Sequence, residues 1–366
     1  MRKDSHHEPL FRMLKRDSLP LPKAVAYRAL ALLGALLAGA LLILALGHNP
    51  IFVYRDMITG ALGTNTVLRE TIKKTIPLLI TAIAISIAFK MRFWNIGAEG
   101  QILIGAIAAG SVGLFVPEGM PKVLLVLLMM AAGIVGGGLY GLVPAFFKAK
   151  WGTNETLFTL MLNYIAFSFV RYLQNGPWKS PGSSFPQIGR LADINRLTKV
   201  FGVHWGWIVA LVLVVLAWLY NNKTKQGYEI AVVGESLNTA RYAGINVAKV
   251  FMRTMFISGA LAGLVGMLQF AGADYTITEE TAGGVGFTAI TVAWMAKMNP
   301  FAMLLVAMFL AILSKGSNTI QTNFKIPASA AELLTGIILF FMLGCEFFIT
   351  YKLVFRKLNR KSPSAN

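Results

Sequence analysis

The chain has 366 residues, 56% of them hydrophobic and only 14% charged, whereas soluble domains carry about 25% charged residues. That balance excludes an ordinary soluble domain and points to a body dissolved in lipid. The formal net charge of +18 would suit a nucleic-acid partner if the basic residues formed one stripe. They instead flank apolar segments, as the positive-inside rule expects, so nucleic acid is not a partner.

A charged segment, 1–23, leads into the first apolar run. That run holds about 19 apolar residues, too many for a signal-peptide core of ~7 to 15, and is read as a retained anchor. A bilayer core of ~30 Å needs about 20 apolar residues per crossing, because no bare backbone can face lipid. Runs of this kind lie at 24–47, 72–89, 98–116, 122–147, 156–174, 205–220, 250–271, 286–298, 300–315 and 328–350. The expected fold is all-α, a polytopic membrane helix bundle of about ten spans. Its body is a transmembrane domain over 24–350, between basic tails at 1–23 and 351–366. With both termini cytoplasmic, the inner segments hold 22 of the 34 basic residues, and this asymmetry sets the orientation. Trp94, Trp151, Trp218 and Trp294 then fall at inner ends, and Trp178, Trp205 and Trp207 at outer ends, at headgroup level.

Two stretches depart from the pattern. The run 286–298 is too short to cross alone and follows Gly283, Gly284 and Gly286, which predicts a half-helix or re-entrant element shielded by protein or lining a cavity. The outer loop 175–204, rich in Pro and Gly, reads as an ordered extracytoplasmic cap or a docking surface. A weak echo joins Thr81 to Met91 with Thr288 to Met298, in a class of proteins that often carry duplicated halves, although chance among apolar sequences explains it at least as well.

Gly136 to Gly141 formally matches G-x-G-x-x-G but lacks the preceding strand. Gly133, Gly137 and Gly141 recur every fourth residue, as do Gly259 and Gly263, a spacing that lets helices approach closely. No Gly-Lys dipeptide occurs, so the chain has no phosphate-cradling loop of the P-loop kind. The single Cys345 and four histidines, two of them His6 and His7 in the amino-terminal tail, form no metal or catalytic constellation. Catalysis has no visible carrier.

Polar groups beside or inside apolar runs are the candidates for function. Asn95 and Glu99, with Gln101, stand where a cytoplasmic turn becomes a helix. There, Asn95 is expected to cap and Glu99 to sit in the first turn, or the cluster lines a solute path. Glu155, Thr159 and Asn163 share one face of the fifth span, where an amide must bond another helix or a solute. Gln269, Asp274 and Tyr275 form a similar group at the outer end of the seventh. In the cytoplasmic loop 221–249, Ser236 caps a short helix over Leu237 to Ala243 and Gly244 stops it, a form suited to docking in a partner's groove.

These stretches carry a resemblance: Asn95 to Gln101, Asn154 to Thr156, Thr159 to Ile165, Ala240 to Ile245, Gly286-Phe287 and Asn299-Pro300. The chain resembles the permeases of ATP-binding cassette importers in the branched-chain amino acid, ribose and nucleoside group, and is most similar to the larger nucleoside-type permease. The resemblance implies a nucleoside or related small polar solute, a simple sugar being the alternative. It implies a second permease, an ATP-binding cassette ATPase and an extracytoplasmic solute-binding protein as partners, beside membrane lipid. No cofactor is then bound by this chain, ATP and magnesium residing on the partners. Contact with the ATPase falls to Glu235, Ser236, Leu237, Asn238, Ala240, Arg241, Tyr242, Gly244 and Ile245. The pathway falls to Trp94, Asn95, Glu99, Gln101, Asn163, Phe287 and Thr288. Ser236-Leu237 and Thr288 replace an Asn-Pro and an acidic residue usual in the family. The rival class is an ion-coupled transporter working alone, which normally places paired ionisable groups at mid-membrane.

Overall fold

The computed structural model describes residues 11–15, 20–115 and 120–355. Most of tails 1–23 and 351–366, with His6 and His7, lies outside these residues. The helices are α1 (Leu21–Ala45), α2 (Pro50–Leu62), α3 (Asn65–Lys90), α4 (Ala98–Gly113), α5 (Lys122–Trp151), α6 (Glu155–Asn175), α7 (Gly206–Lys223), α8 (Lys225–Glu235), α9 (Leu237–Tyr242), α10 (Val247–Gln269), α11 (Val285–Met295), α12 (Pro300–Phe324) and α13 (Ala328–Thr350). Among the described residues eight are long and apolar enough to cross a membrane, α1, α3, α5, α6, α7, α10, α12 and α13. The shorter α4 and α11 complete the ten expected segments, and the protein is an all-α, multi-pass membrane bundle.

Three helices differ from the apolar runs. α2 was hidden by Arg55 and Asp56, yet it buries Val53, Met57 and Ala61 along one face. α12 continues nine residues beyond Lys315 because its polar end is satisfied by protein, as where Asn323 donates to Asp56 at 3.0 Å. α8 occupies part of the 221–249 segment read as loop, its start capped by Thr224, which accepts from the Gly227 N–H.

The chain forms two compact units, Met1–Met57 with Gly316–Asn366, and Ile58–Lys315. In the first, α1 packs on α13, Arg28 pairs with Glu346 at 2.6 Å, and β1 (Phe11–Lys15) runs antiparallel to β4 (Tyr351–Phe355), a pairing the tails did not announce.

The second unit is built around α3. Every residue from Thr75 to Phe89 is buried, as expected of a helix that is apolar all round and surrounded by others. α3 packs against α7, α10 and α11, and α10 packs in turn against α4 and α5. Hydrocarbon supplies no hydrophobic drive between helices, so close backbone contact must hold them. A Cβ on Gly137 would meet Gly263 Cα at 2.6 Å, and one on Gly263 would collide with the Gly133 carbonyl. A Cβ on Gly266 would likewise strike the Ile102 carbonyl of α4. The four-residue glycine spacing is therefore a packing seam between α5 and α10, with α4 as its third member.

The segment 176–205 is an ordered cap over the end of α10. That helix ends in a π-turn, Phe270–Asp274, whose freed carbonyls need donors. The Leu197 N–H donates to Ala271 O at 3.0 Å, and the Leu191 N–H to Tyr275 O at 2.8 Å. Arg196 lies 4.2 Å over the Tyr275 ring. A short hairpin, β2 (Lys199–Val200) with β3 (Val203–His204), closes the cap. Its His204 ring is buried against Gly206 and Gly272, and neither ring nitrogen has a partner among the described residues.

Two measurements check this packing. Gly263→Leu should lower the stability of the purified protein by ~1 to 3 kcal/mol, the usual cost of overpacking. Gly336→Ala, at an open position of α13, should be neutral or slightly stabilising. A Gly263 variant that melts like wild type removes the seam. Burial, helped by the nearby Lys73 charge, pushes the His204 imidazole from 6.5 down to about 4. As pH falls through 6.5 the unfolded chain takes the proton first, so stability is full above about 6.5 and lost progressively toward about 4. His204→Phe should flatten that dependence in thermal melts between pH 7 and 5, and an unchanged slope would exclude this imidazole as its source.

Candidate functional site

α11 spans 11 residues, about 16 Å at ~1.5 Å per residue and half of a ~30 Å core. The chain reaches it by an interrupted crossing. Ile277 lies against Gly110 of α4, and its carbonyl accepts from the Gln174 side chain at the end of α6. Nine residues later Gly286 lies against Glu99, at the other end of α4. Between them come a 3₁₀ turn, Glu279–Thr281, and two left-handed glycines, Gly283 (φ 57°) and Gly284 (φ 73°). The helix amino terminus therefore opens inside the unit. Gly283 and Gly284 remain exposed, and the Gly284 carbonyl accepts from both the N–H and the hydroxyl of Thr288.

Glu99 meets this terminus. It lies in the first turn of α4, but its carboxyl group serves α11: Oε1 accepts from the Gly286 N–H at 2.7 Å. It is 1% exposed and has no ion-pair partner among the described residues. Its compensation is the positive end of the α11 dipole together with an amide that would otherwise be orphaned. Only glycine fits at 286, because a Cβ there would stand 2.6 Å from the Glu99 nitrogen.

The turn before α4 explains the polar face of α6. The Ile96 N–H donates to Thr159 Oγ1 at 3.2 Å, and the Ile96 carbonyl accepts from Asn163 Nδ2 at 3.0 Å. Asn163 Oδ1 also accepts from the Gly100 N–H at 2.9 Å. Two side chains one helical turn apart thus satisfy both backbone groups of a residue outside any helix. Asn95 accepts from the Gly97 N–H, exchanges bonds with Gln101, and donates to Ser258 of α10 at 3.2 Å. Gly97, not Asn95, is the cap residue of α4. Glu155 pairs with Lys148 across the α5–α6 turn.

The structure thus gathers Asn95, Glu99, Gln101 and Asn163 into a buried polar knot, in which Asn95 and Gln101 bond each other while Glu99 and Asn163 bond backbone. Thr288, half-buried, donates to Gly284 O within α11. Trp94 and Phe287 are exposed at 42% and 44%. Sequence reasoning left out Ser258, whose hydroxyl looks like any small polar residue in a span. It also left out Trp294, 49% exposed, whose ring stacks on Trp94 with centroids 5.8 Å apart and planes 13° from parallel.

The second candidate group lies on α8 and α9. Ser236 accepts from the Thr239 N–H at 3.3 Å, and Gly244 stops the turn at φ 74°. Ala240 is buried, Ser236 and Ile245 are half-buried, and Glu235, Leu237, Asn238, Arg241 and Gly244 are exposed, with Tyr242 93% exposed. The two groups connect through backbone: a Cβ on Gly234 would collide with the Lys90 carbonyl. That contact joins the α8–α9 elbow to the end of α3, where the turn carrying Trp94 and Asn95 begins.

Glu99→Ala should strand the Gly286 N–H and cost ~1 to 3 kcal/mol of stability, whereas Glu99→Gln keeps an acceptor and should cost less. Thermal melts of the purified variants read the difference. Equal stability of the alanine variant and wild type would show that the carboxyl group does not hold α11.

Comparison with known proteins fits this architecture. Residues 67–343 match the family described as branched-chain amino acid transport system / permease component. A glucose ABC transporter permease of Haloferax volcanii is 31% identical over 350 residues, covering 92% of each chain. A guanosine ABC transporter permease of Bacillus subtilis is 30% identical, covering 92% of this chain and 97% of that one. A nucleoside ABC transporter permease of Lactococcus lactis subsp. cremoris is 30% identical, covering 86% and 89%. The chain is a membrane transport subunit and not an enzyme, and it belongs to the branched-chain amino acid transport system / permease component family.

Proposed function

We propose that this chain forms part of the translocation pathway of an importer for a nucleoside, driven by ATP hydrolysis on partner ATPases and fed by an extracytoplasmic solute-binding protein. The observation that carries the reading is the half-helix α11, opened inside the bundle, packed on α3 and held at its amino terminus by Glu99. Discontinuous helices of this kind form solute sites in transporters. Relatives named for guanosine and for nucleosides support the solute class. The relative named for glucose favours a simple sugar as the second reading.

The open side of α11, with its exposed glycines, threonines and aromatic rings, suits a protein cover better than lipid. A second permease subunit supplies it, leaving a wet path between the two. The asymmetry of basic residues puts both termini, α8 and α9 in the cytoplasm. There the ATPase seats on the exposed face of Leu237, Arg241 and Tyr242. ATP and magnesium stay on that partner, and this chain binds neither.

Work is transmitted by contact. Closure of the ATPases displaces α9, and Gly234 passes the motion to the Lys90 carbonyl at the end of α3. The following turn carries Asn95, and the knot carries the displacement to Glu99 and so to the amino terminus of α11. In this arrangement the buried amides and Glu99 position the backbone, while the exposed aromatic rings border the path.

The complex reconstituted in proteoliposomes should take up guanosine only when ATP is present with the ATPase. Tyr242→Ala should lower that uptake at least tenfold while the permease still reaches the membrane. Uptake by the chain alone, with an ion gradient and no ATPase, would overturn the reading in favour of an ion-coupled transporter.

A further inference from the structure

α11 presents two unlike faces. Gly286, Ala289, Val292, Ala293 and Ala296 are buried against the unit, small enough for close approach to α3 and α4. The opposite face carries Phe287 and, seven residues and two turns on, Trp294, both nearly half exposed. Trp94 from the neighbouring turn stacks on Trp294, and Phe89 at the end of α3 backs the pair, 5.0 Å from Trp94 and 6.4 Å from Trp294.

The start of this face is non-helical backbone at Gly283 and Gly284, a poor surface for lipid, and the polar Thr288 and Thr291 continue it. A face with bare backbone, two hydroxyl side chains and three large π surfaces suits a partner that is planar, partly aromatic and hydrogen-bonding. The amides Asn95, Gln101 and Asn163 do not compete for this role, because each is already bonded to protein. Flat π surfaces are what remain to contact a solute.

We propose that the free faces of Trp94 and Trp294, with Phe287 about 10 Å away at ~1.5 Å per residue on the same helix face, form a stacking track for a planar heterocyclic base. The assignment rests on the nucleoside reading above and adds the recognising groups. Stacking against aromatic rings tolerates different bases, since every base has a π face, and is weak enough to release its ligand. The Trp94–Trp294 pair lies where the turn that begins at the end of α3 meets the end of α11. The coupling elbow presses on the same end through Gly234, so motion there changes the separation of the two indoles. A track placed at this point loosens as the motor turns over.

The test uses the assembled complex in proteoliposomes, with guanosine and glucose as separate probes. Trp94→Ala and Trp294→Ala should each raise KM for guanosine about tenfold, the size expected for loss of one base-aromatic stack. Trp294→Phe, which keeps a ring, should stay within about threefold of wild type. Co-purification of the partner subunits checks that each variant assembles. Wild-type uptake of guanosine with KM unmoved in both alanine variants overturns the stacking track alone. So does a fall in kcat without a change in KM, which marks a gate and not a binding surface. Wild-type uptake of glucose but not guanosine overturns the solute reading and the track together.

Discussion

The hydrogen bond from the Gly286 N–H to Glu99 answers the hardest constraint on this chain. A membrane protein cannot leave a helix amino terminus unsatisfied in its interior, because neither lipid nor bulk water is there to supply acceptors. α11 nevertheless begins inside the unit, so an acceptor must come from protein. Glu99 provides it from the first turn of α4, and glycine at 286 is the condition for the approach. The interrupted crossing of residues 275–295 depends on that pair, and the exposed face of α11 exists because the crossing is interrupted.

The same rule organises the neighbouring turn. Residues 91–97 form no helix; the first of them bond back to the end of α3, and Ile96 and Gly97 take partners from side chains, Thr159 and Asn163 for Ile96 and Asn95 for Gly97. Polar residues in apolar spans here serve irregular backbone in the adjacent element. They tie the α3–α4 turn and α4 to α6, and α4 to the start of α11. The glycine seam between α5 and α10 holds the other side of α4 with van der Waals contact where polar bonds are absent. Together these leave α11 with one face fixed and one face free.

Rigid parts and free faces divide the labour of a transport subunit. Displacement at α9 reaches α11 only if the parts between them do not yield, and the Gly234–Lys90 contact is backbone against backbone, with no flexible side chain to absorb it. In the proposed function, solute contact is left to aromatic rings, which bind broadly and let go.

Length, periodicity and charge placed nearly all of the membrane body. Ten apolar runs became ten elements, Ser236 and Gly244 bounded α9, and the four-residue glycine spacing became a seam, because these depend on local chemistry and on the lipid rule alone. The amphipathic α2, the α8 segment and the last turns of α12 were illegible, since their polar residues are paid for by partners far along the chain, as Asn323 is by Asp56. Residue type marked Asn95, Glu99, Gln101 and Asn163 as important without saying for what. Only tertiary structure decided that Glu99 and Asn163 bond backbone, that Asn95 and Gln101 bond each other, and that Trp294, legible in sequence only as a ring at a membrane end, stacks on Trp94. The reason is physical: an amide or a ring acquires its role from what stands a few ångströms away, and for Asn95, Glu99, Asn163 and Trp294 that includes a neighbour more than sixty positions distant.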